Sequence, residues 1–434
     1  MQRLRELLTI VLLGLLPLHA FFVTVGTNVL AGPGHAPLTV LALWKEAVLG
    51  VILLIALIEW LKKPRFSLDI LDWIILGLLA LSVIVTARTH ADWNVYLIGF
   101  KYDFVPLIAF LALRRVEWSD QFSSRLLKIL LIVAAVVSVY GILSMYMHQQ
   151  FFTWLGYSDL HSLYQPDAPL AAFQKIGGTA IRRIQSTMSG PNQLGLWLLI
   201  PLSIALVRKN AVGVFIVFAM MLTLSRSALL AAGVFIAVIL WRQLPRKKFF
   251  QFAAAMFCLS FVLSIVAYFF AADIIVRKAS TSDHISRPLA AIQIIKENPL
   301  GLGLGTAGPA SNRTSDTCVF LSEGSDASWA QVHTNLCVFV GDVQVQPEDK
   351  ACACPVLPEN WYLQIGLEMG ILGFALFIAL VILILKKLPK NSPVFLAFLG
   401  ISIASLFLHA WEDAAVAYTV WVLAAVMLRK STNY

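Results

Sequence analysis

Residues 212–241 read VGVFIVFAMMLTLSRSALLAAGVFIAVILW. Two apolar runs flank Leu224-Ser225-Arg226-Ser227. As one helix, the stretch would hold Arg226 near the bilayer centre, at a cost of ~2.5–3.5 kcal/mol or more. Two short helices, Val212–Leu224 and Ser227–Trp241, with Arg226 at an interface, are expected instead. That split sets the direction of every later span.

The surrounding sequence has the same character. Hydrophobic residues make up 59% of the chain and charged residues 13%. A soluble domain carries roughly a quarter charged residues, so water is not the main solvent here. A span needs roughly 20 mostly apolar residues, and about twelve stretches come near that. They are Leu7–Leu30, Leu38–Trp60, Leu68–Thr86, Val95–Leu113, Leu126–His148, Asn192–Val207, the two halves of 212–241, Phe249–Phe270, Trp361–Leu385, Pro393–His409 and Ala414–Leu428. None alternates with period two. In hydrocarbon the backbone must then satisfy its polar groups as helix rather than barrel strand. The fold class expected is an all-α, polytopic transmembrane helix bundle. The run after Met1-Gln2-Arg3-Leu4-Arg5 reads as a retained first span, not a cleaved signal.

The net charge of +9 does not imply nucleic acid, because the basic residues gather at span ends. Lys62-Lys63-Pro64-Arg65, Arg114-Arg115, Arg208-Lys209, Arg246-Lys247-Lys248, Lys386-Lys387 and Arg429-Lys430 mark the cytoplasmic connections. Such clusters also favour anionic membrane lipids. Both termini are then cytoplasmic, and the long loops are periplasmic. The chain divides into N-terminal spans (1–148), a first periplasmic loop (149–191), spans with the Ser-Arg outer turn (192–270), a large periplasmic loop (271–360) and C-terminal spans (361–434). Cys318, Cys337, Cys352 and Cys354 all fall in the large loop and read as two disulfides of an oxidising compartment. Cys352 and Cys354 each pair with Cys318 or Cys337, in either arrangement. A zinc site with His333 fits the usual ligand spacings poorly, and no metal is expected.

Four motifs carry chemistry. Arg182-Arg183 precedes Gly190-Pro191-Asn192, where a span begins. Alone this fits a plain helix start with interfacial arginines, since Pro is tolerated in a first turn. Ser225-Arg226-Ser227 is either a tight outer turn or an anion ligand, because the guanidinium fork matches phosphate oxygens. Ser286-Arg287-Pro288 opens a helical stretch that runs into Asn298-Pro299-Leu300-Gly301-Leu302-Gly303-Leu304-Gly305. No strand precedes those glycines, so they do not read as a dinucleotide loop. Pro358-Glu359-Asn360 heads a span that contains Glu368. A carboxylate inside a span is a functional candidate, or holds the bundle together. Lys45, Lys101 and Asp103 also lie within spans and read as a buried Lys–Asp pair, as snorkelling side chains or as transport residues.

In this order, over roughly residues 180–385, the motifs resemble the O-antigen ligase/polymerase family, which joins lipid-linked sugars at the periplasmic face. The resemblance implies a GT-C-like bundle in the bacterial inner membrane and needs no cofactor. Its donor would be an undecaprenyl-diphosphate-linked glycan, and its acceptor another glycan or a lipid A-core-like molecule. It implies that Arg182 or Arg183, Arg226 and Arg287 face the diphosphate, with Asn192, Asn360 and Glu368 in support. Where the family has a histidine before its asparagine, this chain has Glu359, which either replaces it as the base or marks a position that has lost that role.

The expected reaction is a metal-independent displacement with inversion at the sugar carbon. Ligase, polymerase and protein O-glycosylation readings share the donor and differ in the acceptor. Outside this class stand a polysaccharide or lipid transporter or flippase and a non-catalytic scaffold of envelope assembly.

Overall fold

The computed structural model describes residues 1–62, 68–158, 169–176, 181–255, 278–321, 323–328, 330, 336–341 and 343–429. Most of the Phe249–Phe270 stretch lies outside these residues, as do His333, Lys63, Arg65 and Lys430. The apolar stretches of the sequence are helical where described. Among the described residues, five helices are long and apolar enough to cross a membrane: Gln2–Ala31, Ile70–Thr89, Phe122–Ser144, Arg226–Gln243 and Trp361–Lys387. A sixth is formed if Trp93–Asp103 and Val105–Leu113, bent by 47°, make one span.

The expected count of about twelve spans is therefore not confirmed by length and composition among the described residues. Val212–Thr223, Pro393–Ala404 and Ala414–Met427 are apolar but short. At 1.5 Å per residue, a helix of 12 residues such as Val212–Thr223 covers about 18 Å. That is little more than half the hydrocarbon thickness of roughly 30 Å. The all-α expectation also needs a supplement in the large loop. There Thr317–Leu321 pairs in parallel with Leu336–Val340, which pairs antiparallel with Val343–Gln346.

The break at Arg226 is where the sequence placed it. Leu224 adopts the left-handed region at φ 50°, and Ser225 occupies the N-cap of Arg226–Gln243. A leucine rarely takes that conformation, so the neighbouring contacts must hold it.

Outward-facing apolar side chains line the bundle, among them Leu54, Ile84, Val136, Val214 and Ile371, each more than half or nearly half exposed. A continuous apolar exterior of this kind suits lipid. Inside, Trp421 packs against Phe110, Phe398 and Trp411, with ring centroids 5.4, 5.3 and 5.2 Å away.

One end of the bundle is tied by ions. Arg114 reaches Asp69 at 2.8 Å and Asp72 at 3.2 Å. Arg115 reaches Asp72 at 3.0 Å, and Lys387 reaches Asp69 at 3.5 Å. Arg5 pairs with Glu59 at 2.8 Å, and Arg242 donates to the carbonyl of Lys390. Among the described residues, Arg114, Arg115 and Lys387 of the basic connectors thus meet on one side. Asp72 is fully buried and shared by Arg114 and Arg115, so removing both guanidinium groups leaves an uncompensated charge. The double variant Arg114→Ala/Arg115→Ala is expected to destabilise the fold by about 3–5 kcal/mol. Thermal unfolding of the detergent-solubilised protein checks this, and an unshifted transition would contradict it.

Candidate functional site

The opposite end of the bundle carries the four motifs. Arg182 and Arg183 form a short strand against Gln174–Lys175. Arg183 is buried. Its Nε donates to the Thr223 carbonyl at 2.8 Å, and its Nη2 donates to Asn192 Oδ1 at 2.7 Å. Its Nη1 donates to Gln174 Oε1 at 3.4 Å. The next amide, Ile184 N–H, donates to the Leu222 carbonyl at 3.2 Å. Three sequence motifs meet here: the basic pair, the Pro-Asn helix start and the Ser-Arg turn. Arg183 satisfies the carbonyl that the helix ending at Thr223 leaves open, and so holds the break in shape. Arg226, on the far side of the break, is exposed in the first turn of its helix. Arg182 lies over the Phe173 ring at 4.8 Å.

A second cluster forms at the start of the Trp361 helix. Arg287 Nη1 donates to Glu359 Oε1 at 3.0 Å. His284 Nδ1 lies 3.9 Å from Glu359 Oε2. His284 was not in the family's matching place by sequence, yet it stands one helical turn from Arg287 on the same face. Glu359 adopts φ 51°, which turns the chain just before Asn360 caps the helix by accepting from Leu363 N–H at 3.0 Å. The Asn360 side chain also donates to the Leu406 carbonyl at 3.0 Å.

Three further residues that the sequence reading did not single out join this cluster. Gln364, one turn after Asn360, donates to Glu412 Oε1. Gln364 Oε1 lies 2.6 Å from His409 Nδ1. The oxygen accepts, so Nδ1 carries the imidazole proton. Gln364 and Glu412 are buried. Helical spacing from Asn360 points to Gln364, but nothing along the chain joins it to His409 and Glu412.

Glu368 has a different task from the other candidates. Its Oε1 accepts from Gly305 N–H at 2.9 Å and Ala307 N–H at 3.4 Å. Around it the Trp361 helix breaks at Gly370, which has φ 69°. The freed carbonyls of Leu367 and Glu368 accept from Leu302 and Gly303 at 2.8 and 3.0 Å, and Ile371 N–H donates to the Pro299 carbonyl at 3.0 Å. The Gly-rich turn is thus docked, backbone to backbone, into a broken span. A Cβ at Gly301 would stand 2.6 Å from the Glu368 carbonyl oxygen, at φ +90°. Gly301→Ala is expected to cost at least about 1–3 kcal/mol in strain. A wild-type melting profile for that variant would refute the docking role.

The disulfides are Cys318–Cys354 and Cys337–Cys352. Parallel pairing sets Cys318 beside Cys337. Ala353 N–H donates to Asp316 and the Ala353 carbonyl accepts from Asp316 N–H. This places Cys354 beside Cys318 and leaves Cys352 to Cys337. Among the described residues, Asp316, Cys337 and Cys352 form a group with metal-ligand spacing, but its two sulfurs are joined to each other and offer no thiolate.

Residues 211–333 match the family described as O-antigen ligase, which bears out the resemblance read from the motifs. The match contains Arg226, Arg287 and the Gly-rich turn, and ends before Glu359. No curated protein matches the chain.

Proposed function

We propose, on the premise of the O-antigen ligase match over residues 211–333, that this chain is a membrane glycosyltransferase of the bacterial inner membrane. It moves or polymerises a glycan from undecaprenyl diphosphate onto a glycan or lipid A-core-like acceptor. The observation that carries this reading is the placement of the matched arginines. Arg226 is exposed at a helix start, and Arg287 is aimed at Glu359, both at the end of the bundle away from its basic connectors. The positive-inside bias makes that end periplasmic.

The chemistry follows from charge. In the transfer, the acceptor hydroxyl oxygen bonds to the anomeric carbon while the bond from that carbon to the diphosphate oxygen breaks. The bonding pair leaves with the diphosphate, and inversion follows from one displacement. Arginines neutralise the charge that develops on the leaving oxygens, in the manner of oxyanion-hole donors. Arg226 and Arg287 make that contact, Arg182 extends it, and Arg183 positions the turn through Asn192 and Thr223. Without ligand, Glu359 holds Arg287. When the diphosphate takes the guanidinium, Glu359 is released to accept the hydroxyl proton. Arginines carry the charge compensation, so the reading requires no metal.

A deletion strain tests the reading. Lipid-linked glycan should accumulate, and the wild-type gene should restore both the precursor pool and the product ladder. An unchanged precursor pool would favour a scaffold over an enzyme.

A further inference from the structure

A cavity of about 500 Å³ opens among the N-terminal spans, outside the motifs above. It lies in the roughly 300–1,000 Å³ range of small-molecule sites. Its walls bring together Lys45, Glu46, Lys101, Tyr102, Arg313 and Tyr418. Lys45 and Lys101 come from stretches read as spans. Lys101 sits beside the break between Trp93–Asp103 and Val105–Leu113. Arg313 comes from the large loop, on the short helix Gly308–Thr314, which adds Asn312 and Arg313 to the walls. Irregular backbone and ionisable groups at membrane depth are tolerated where they line a polar cavity.

The pairing differs from the Lys–Asp pair that the sequence suggested. Lys101 reaches Glu46 at 2.9 Å and Lys45 reaches the same carboxylate at 3.3 Å. Asp103 is instead buried near Glu368 and Glu412. Glu46 therefore serves two ammonium groups, and with the Arg313 guanidinium three cations face two carboxylates, Glu46 and Glu412, in the same walls. An excess of positive charge in a cavity needs an anion. Tyr102 and Tyr418 also line it, with Lys101 and Arg313 set 5.6 and 5.8 Å from the Tyr102 ring, and the Glu46 carboxylate can accept from hydroxyls. Glu412 also lines the cavity and is bonded through Gln364 to the helix turn that follows Glu359.

We propose that this cavity binds an anionic saccharide unit, bearing a phosphate or carboxylate, of the acceptor, with Lys45, Lys101 and Arg313 holding the anionic group and Tyr102 the sugar face. Its assignment to the acceptor rests on the transferase reading above. The binding itself does not.

The test uses the purified full chain in lipid nanodiscs, titrated with glucose 6-phosphate, glucuronate, glucose and dioctanoyl phosphatidylglycerol. The two charged sugars should bind at least roughly tenfold more tightly than glucose, and Lys101→Gln and Arg313→Gln should each weaken them about tenfold. Lys101→Arg should restore binding, which separates charge from folding. Arg226→Ala should bind the sugars as the wild type does, so a failure of the transferase reading shows in glycan transfer and not here. Equal binding of glucose, or charged-sugar affinity unchanged in both Gln variants, overturns the proposal. Displacement of the sugars by phosphatidylglycerol at lower concentration assigns the cavity to a lipid headgroup and overturns the saccharide assignment.

Discussion

Arg226→Ala is expected to lower glycan transfer by roughly 10²–10³-fold, the effect of removing one pre-placed donor from a developing anion. The side chain is exposed in the first turn of its helix. Its loss therefore leaves no hole in the core and should not reduce protein abundance. The Leu224 turn is held by Arg183 and the backbone, so the helix break should survive the substitution. A fixed cation also matters more here than at a soluble surface, because field lines in a low-dielectric surround are weakly screened. Arg226→Lys keeps the charge but loses the fork, and should fall between the two. The measurement is the product ladder and precursor pool in a deletion strain carrying each variant at matched expression. A wild-type ladder from Arg226→Ala would remove this residue from the mechanism.

Glu359→Ala is expected to cost about 10²–10⁴-fold, the usual contribution of a positioned proton acceptor. Glu359→Gln distinguishes the base from the anchor. It preserves size and can still accept a hydrogen bond from Arg287, but it cannot take the acceptor proton. If Glu359 serves only to hold Arg287, the Gln variant should stay near wild type while the Ala variant falls. If it is the base, both should fall together. His284, 3.9 Å from the same carboxylate, provides a further control. A His284→Ala variant that loses as much as Glu359→Gln, with Gln itself active, would move the proton acceptor to the imidazole.

The site was legible in part. Arg226 was conspicuous as a candidate because it interrupts an apolar run, where a charge is costly, whereas Arg183, Arg287 and Glu359 were singled out by their resemblance to the family motifs. Their division of labour was not. Arg183 and Arg226 look alike in sequence, but one is buried with its fork engaged and the other is exposed. Gln364, His409 and Glu412 were not singled out, because their hydrogen bonds cross more than 40 positions of chain. Glu368 was visible as a carboxylate in a span. That it clamps a glycine turn depends on the break at Gly370, and a glycine in an apolar run does not announce one.

The sequence by itself determined that the chain is an apolar helix bundle, that 212–241 breaks at the Ser-Arg turn, and that the basic connectors share one end. These follow from the free energy of single residues in hydrocarbon, which is local and needs no partner. Tertiary structure alone decided which cysteines join, which arginine is buried, that Lys101 pairs with Glu46 rather than Asp103, and how many helices are long enough to span. Those outcomes depend on which distant segments pack together. The energy of a pair is fixed by separation in space, and residue order along the chain does not contain it.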